Sequence, residues 1–333
     1  MGYAAGVYMT LLDSTSRAVN RSDANPQPVP RSCWCGTTDK KLDDFSEDYV
    51  RCPGCDTLVS IRAAEGEITR VTDEISDLYG RSYWFEHQAG DLGHPTIEQR
   101  ARTDLHERVL HWLKALLKYR RPPGRFLEIG CAHGGFVHFA GVAGFDARGL
   151  ELSPTIAELA ERTFHVPVLH GPIEDQPIAP GSLDVVAAMD VLEHLASPVA
   201  TLTHCAKVLT PRGLLFIQTP RYPAPATSTE LRASSHRFIE HMRVPEEHLY
   251  LFSERGLQEV LALAGFEHIV TEPAIFDHYD QFVVASRAPI APCDDDPAEL
   301  PAFQGAAGLE RGGRFQVAFQ DHKARTSAKR RPH

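Results

Sequence analysis

The ten residues Phe126 to Gly135, FLEIGCAHGG, constrain this chain more than any other stretch. A short apolar run ends in an acid, a turn of small residues follows, and a new helix is expected from about Phe136 towards Gly144. Small residues let a backbone turn sharply and come close to a ligand, and the N–H groups that open a helix have no partner within it. The segment therefore reads as a strand, a ligand-facing turn and a helix, the first step of an α/β sheet; a plain tight crossover is the simpler alternative. A dinucleotide fingerprint, GxGxxG from Gly130, fits poorly because position 132 is Ala.

The flanking sequence suits such a sheet. Leu183 to Met189 is almost continuously apolar, as a strand buried on both faces must be. Further strands are expected at Ala147 to Glu151, Val166 to Leu169 and Leu214 to Thr219, and Phe266 to Glu272 and Gln281 to Ser286 read as a closing antiparallel hairpin. Ser153-Pro154 supplies an N-cap followed by a proline at the first helical position, a helix is expected from Ser197-Pro198 to Leu209, and Ser253 caps a helix that ends at Gly265. Between Glu67 and Tyr119 the period turns helical, with Leu105, Val109, Trp112, Leu113, Leu116 and Leu117 on one face.

Four of the seven cysteines lie between positions 33 and 55. Cys33 and Cys35 form a CxC pair, and Cys52 and Cys55 a CxxC pair. Two such knuckles across a hairpin supply the four thiolates of a tetrahedral zinc site, structural because no position is left for water. Four unligated thiols or a redox pair remain the alternative. A net charge of −10 argues against an extended nucleic-acid surface. The sequence has no apolar run of bilayer-spanning length and no basic-then-apolar leader, so a cytoplasmic protein is expected. The expected organisation is a disordered lead over 1–31, a zinc-ribbon-like module over 32–63, a helical segment over 64–122, the α/β domain over 123–288 and a disordered, basic-ended tail over 289–333.

Glu128, Gly130 and Gly134, with Ala132 where a middle glycine is usual, resemble motif I of the class I S-adenosylmethionine-dependent methyltransferases. Asp190-Val191-Leu192-Glu193-His194-Leu195 is similar to the block after that family's fourth strand, and His248-Leu249-Tyr250-Leu251-Phe252-Ser253 resembles a segment of small-molecule O-methyltransferases of quinone biosynthesis. The resemblance runs from about Cys33 to Ala288. It implies a Rossmann-like, seven-stranded, doubly wound sheet with an antiparallel last strand, preceded by the small zinc ribbon.

The residues expected to hold S-adenosyl-L-methionine are Glu128, Gly130, Cys131, Ala132 and Gly134 around the turn, with Glu151 and Leu152 at the end of the second strand. Glu151 lies about twenty residues past the turn, where βαβ geometry brings a carboxylate to a ribose. The family adds Ile173 or Glu174 at the adenine, with Pro172 where an aspartate is common, and Asp190 and Val191 at the methionine side. Tyr83, in the aromatic run Leu78 to Trp84, is expected over the methionine end, with simple packing as its alternative. His248 is the first candidate for an acceptor-side base and His194 the second, each with a packing role as its alternative. The implied reaction is methyl transfer to a small-molecule or sugar acceptor, with oxygen the expected atom. Sugar C-methylation, RNA modification and a noncatalytic cofactor-binding protein are the competing readings.

Overall fold

The structure is a computed structural model and describes residues 32–38, 41–62, 70–276 and 279–311. The lead over 1–31, part of the segment assigned to the first helix, and the basic end of the tail lie outside the described residues.

Four short strands form one antiparallel sheet. β1 (Asp43–Asp44), β2 (Tyr49–Arg51) and β3 (Leu58–Ser60) make a hairpin ribbon, with Cys52 and Cys55 in the β2–β3 turn and Cys33 and Cys35 ahead of β1. The helical part follows: a wide helix, Tyr83–Asp91, then α1 (Ile97–Asp104), a second wide turn (Leu105–Val109) and α2 (Leu110–Tyr119). Residues 70–80 hold no helix, so the helical run begins later than the sequence suggests. Thr96 and Gln99 close a reciprocal capping box at the start of α1. All six apolar residues of the expected face, Leu105 to Leu117, are buried.

The large sheet begins with β4 (Arg125–Ile129), followed by α3 (Gly135–Ala143), β5 (Asp146–Glu151), α4 (Pro154–Phe164) and β6 (Val168–His170). β7 (Leu183–Met189), α5 (Pro198–Val208) and β8 (Leu209–Pro220) continue it. After β8 come α6 (Ser228–Ala233), the tight helical turn Arg237–Arg243, β9 (Tyr250–Leu251), α7 (Glu254–Leu263), β10 (His268–Glu272) and β11 (Asp280–Ser286). The strand order is β10-β11-β8-β7-β4-β5-β6, parallel except for β11, which runs against both neighbours. This is the expected fold class, antiparallel last strand included.

Two features bear on the layout. The ribbon is joined to the α/β domain by β9, nearly two hundred positions downstream, which is its fourth strand, paired Leu58 to Leu251 and Val59 to Tyr250. In the described part of the tail, α8 (Pro301–Arg311) packs on α2 and α3, with Ala306 fully buried. Small residues at Ala302, Gly305 and Ala306 permit that close approach; the Ala- and Gly-rich composition that suggested disorder instead gives a helix with a flat face.

Candidate functional site

The turn after β4 has the shape its small residues imply. Gly130, Ala132 and Gly134 all lie in the left-handed region, with φ of 65°, 45° and 82°. A Cβ at Gly130 would sit 2.7 Å from Val191 Cγ2, and one at Gly134 2.9 Å from the Ala160 Cβ, so neither position accepts a side chain without displacement. Asp190, at the end of β7, has φ of 56°; a left-handed non-glycine residue at a strand end is a strained placement of the kind that gathers at functional sites. The two strained turns lie side by side because β4 and β7 are adjacent parallel strands.

Glu151 reaches back into the first turn. Its carboxylate accepts the N–H groups of Ala132 (3.0 Å), Leu152 (2.9 Å) and Ser153 (3.2 Å). Burial raises its pKa, and these three donors oppose the shift. Glu128 is also buried, with its pKa well above the usual carboxylate range, and its Oε2 has no partner among the described residues. Such an orphaned acceptor fits a ligand that brings a donor.

Cys131 contributes only backbone to this turn. Its side chain is buried beneath β5, where a Cβ at Gly149 would lie 2.5 Å from its sulfur. Ile173 is buried in a tight turn after β6, and exposed Glu174 accepts the Thr201 hydroxyl at 2.5 Å, on the side of α5. Tyr83 does not lie free over the cofactor side; its hydroxyl donates to Glu247 at 2.9 Å.

On the other side of Asp190 a polar cluster collects at the ends of β7, β8 and β11. Arg108 Nη1 lies 2.8 Å from Asp190 Oδ2, and Gln218 Nε2 donates to Asp190 Oδ1 at 3.0 Å. Trp112 Nε1 in turn holds Gln218 at 3.0 Å. His194 and His248 are brought together, with ring centroids 4.9 Å apart, and His241 stacks beyond at 5.7 Å from His248. Burial drives His194 down to about 3 and His248 to about 4, so both are neutral at pH 7. His248 Nδ1 donates to the His241 carbonyl at 2.7 Å, which leaves its Nε2 as the lone-pair nitrogen. Buried Asp280 faces His241 at 3.7 Å, and burial with the nearby Asp190 charge pushes it up to about 8.

Ligand atoms of Glu193, His194 and His248 lie within 4.8 Å of one another, a donor set whose size suits one divalent cation. Arg108, His241, Glu247 and Asp280 were not singled out as site residues from sequence. Arg108 and Asp280 stand on elements far in the chain from the segment that holds both His241 and Glu247, and His241 carries a local hint, in the long segment after β8.

The four ribbon cysteines converge. Cys33 and Cys55 sulfurs are 3.5 Å apart, as are those of Cys35 and Cys52, and all four lie within 4.8 Å of one another. Tetrahedral thiolates about 2.3 Å from zinc have edges of roughly 3.8 Å, so the residues fit that ion.

A family model described as a methyltransferase domain matches residues 101–272. The ubiquinone biosynthesis O-methyltransferase of Burkholderia vietnamiensis is 32% identical over 139 residues, covering 39% of this chain and 59% of that one. The protein of the same description from Xanthomonas campestris is 32% identical over 104 residues, covering 29% and 44%. The chain thus spans about half the length of these curated relatives. Among solved structures, phosphoethanolamine N-methyltransferase 2 of Haemonchus contortus, in complex with S-adenosyl-L-methionine, has 16% identity and a TM-score of 0.49, covering 66% of this chain and 61% of that one. With the family model covering more than half of its residues, on the fold and around the turn described above, the chain belongs to the methyltransferase-domain family.

Proposed function

We propose that this chain transfers a methyl group from S-adenosyl-L-methionine to an oxygen of a small-molecule or sugar acceptor. The observation that carries the reading is the left-handed turn Gly130 to Gly134 set against Glu151, with the unpartnered Glu128 oxygen beneath it. In this reading the main chain of Gly130, Cys131, Ala132 and Gly134 cradles the methionine part. Glu151 accepts from the ribose hydroxyls, Leu152 and the Ile173 main chain flank the adenine, and Asp190 and Val191 border the sulfonium end. The cofactor supplies a methyl group already activated on a positive sulfur, so the protein has mainly to align the two reactants.

Neutral His248 offers its Nε2 lone pair to the acceptor hydroxyl, and His194 supports it from the neighbouring ring position. Zn2+ held by Cys33, Cys35, Cys52 and Cys55 has a structural role, and a reducing, cytoplasmic setting suits the thiols. Among the described residues no helix is long and apolar enough to cross a membrane. Transfer to a sugar carbon is the second reading, favoured by the ribbon ahead of the domain. The net charge of −10 disfavours an RNA acceptor.

Calorimetric titration with S-adenosylhomocysteine, and with NADH as the control, tests the donor site. Binding of the homocysteine compound alone is expected, weakened by at least ~1 kcal/mol in Glu151→Ala. Binding of NADH alone overturns the methyltransferase reading, and unchanged affinity in the variant removes Glu151 from the ribose.

A further inference from the structure

The wide helix Tyr83–Asp91 lies across both halves of the site. Trp84 and Phe85 pack with Ala132 and Ile156, over the cofactor turn. The opposite face of the same helix meets one buried side chain, Glu247. Its carboxylate accepts the Tyr83 hydroxyl at 2.9 Å on Oε2, the His87 ring at 2.7 Å on Oε1, and the Gln88 amide at 3.5 Å. Residues 83, 87 and 88 share a face because this helix is wound with i→i+5 bonds, shown by the Leu92 N–H on the His87 carbonyl. An ordinary α-helix would not point all three at one carboxylate as directly.

Glu247 is itself anchored on the acceptor side. Its carbonyl faces His194 Nδ1 at 3.0 Å, and the next residue is His248. The segment is fixed from the ribbon by the Ser60 hydroxyl on the Pro245 carbonyl (2.5 Å) and the Tyr49 hydroxyl on the His248 carbonyl (3.1 Å). Leu249 N–H also donates to the Glu193 carbonyl at 2.8 Å. Tyr79 completes the circuit: its hydroxyl lies 2.8 Å from His194 Nδ1, its ring meets Tyr83 edge-on, and its φ of 69° is a left-handed value for a bulky residue.

We propose that Glu247 is a positioning residue that latches the Tyr83–Asp91 helix over the site, and that a protonated His87 is the cation that keeps the latch shut. The His87 ring lies between two carboxylates, Glu247 at 2.7 Å and Asp91 at 3.2 Å, and is partly open to water. Other charged or titratable groups acting on the pair include His94, Tyr83, Tyr79, Tyr49 and Glu246. Burial works against the imidazolium, but the two carboxylates outweigh it and raise the His87 pKa. A histidine with a raised folded pKa gives its stabilisation fully below its unfolded value, near 6.5, and loses it as pH rises through the folded value. The latch is therefore firmest below the unfolded value and loosens as pH rises through the raised one.

The assignment of a positioning role rests on the reading of this edge as the acceptor side; the latch itself is tested without an acceptor. Amide hydrogen exchange of residues 83–92 is measured on the full chain, with and without S-adenosylhomocysteine, at about pH 6 and about pH 8.5 after correction for intrinsic rates. Wild type is expected to lose protection at the higher pH. Glu247→Gln, a near-isosteric neutral change, is expected to expose these amides at both pH values. His87→Gln keeps Glu247 and is expected to abolish the pH dependence. Protection independent of pH in wild type, or Glu247→Gln exchanging like wild type, overturns the latch. Loss of S-adenosylhomocysteine binding by the wild-type chain strikes the methyltransferase reading instead and leaves the exchange result to judge the latch.

Discussion

Asp280 begins β11 as a carboxyl group almost without water around it, facing His241 and close to the Asp190 charge. Its raised pKa, about 8, makes it a protonated acid at neutral pH. In the unfolded chain it ionises near 4, so its favourable contribution is present in acid and lost as pH rises towards 8. Asp280→Asn removes that slope. In urea unfolding the variant is expected to gain on wild type between pH 5 and pH 8, by about 1 kcal/mol per pH unit. A difference that does not change with pH would show that Asp280 is ionised in the folded protein. At this scale the sequence was informative about the turn and much less so about the acceptor side. Glu151 and Asp190 end strands whose order is written locally in apolar runs and caps. Arg108 and Asp280 matter only because two distant segments bring them to one carboxylate, Asp190.

Among the elements, α8 departs most from what composition suggests. It covers α2 and α3 with a small-residue face, and Ala306 in that face is fully buried in the core that holds Phe136 and Phe139. Ala306→Asp is expected to destabilise the protein by roughly 2–4 kcal/mol, because a charge would be buried without a partner. Thermal unfolding measures it, and a melting temperature equal to that of wild type would mean that α8 leaves this face in solution. Helix ends were the most readable features of the whole chain. Ser153 caps α4 through the Ile156 N–H, and Ser253 caps α7 through the Gly256 N–H, because a cap depends on residues only three positions apart.

Across the whole molecule, the ribbon and the α/β domain share structure instead of meeting at a linker. β3 pairs with β9, the buried cysteines belong to the same core as β7, β8 and α7, and Arg255 on α7 donates to the Gly54 carbonyl. One cooperative unfolding transition is expected for both parts. Cys52→Ser, or stripping zinc with a chelator, should lower that single transition and not remove a separate one, since a metal that binds only the folded form stabilises all that is coupled to it. Two resolved transitions in calorimetry would show that the ribbon folds alone.

The sequence by itself determined the order of strands and helices, the small-residue turn at Gly130 to Gly134 and the pairing of CxC with CxxC. The turn and the elements are set by residues within a turn or two of one another, where sterics, capping and hydrophobic period act directly, and the two cysteine pairs are about twenty positions apart across one hairpin. Tertiary structure alone decided that β9 completes the ribbon, that Arg108, Asp190 and Asp280 meet, and that Glu247 joins the Tyr83–Asp91 helix to the two histidines. Apart from the chain neighbours Glu247 and His248, those contacts join positions 53 or more residues apart. They follow from how the twisted sheet places its strand ends, which no local pattern in the chain encodes.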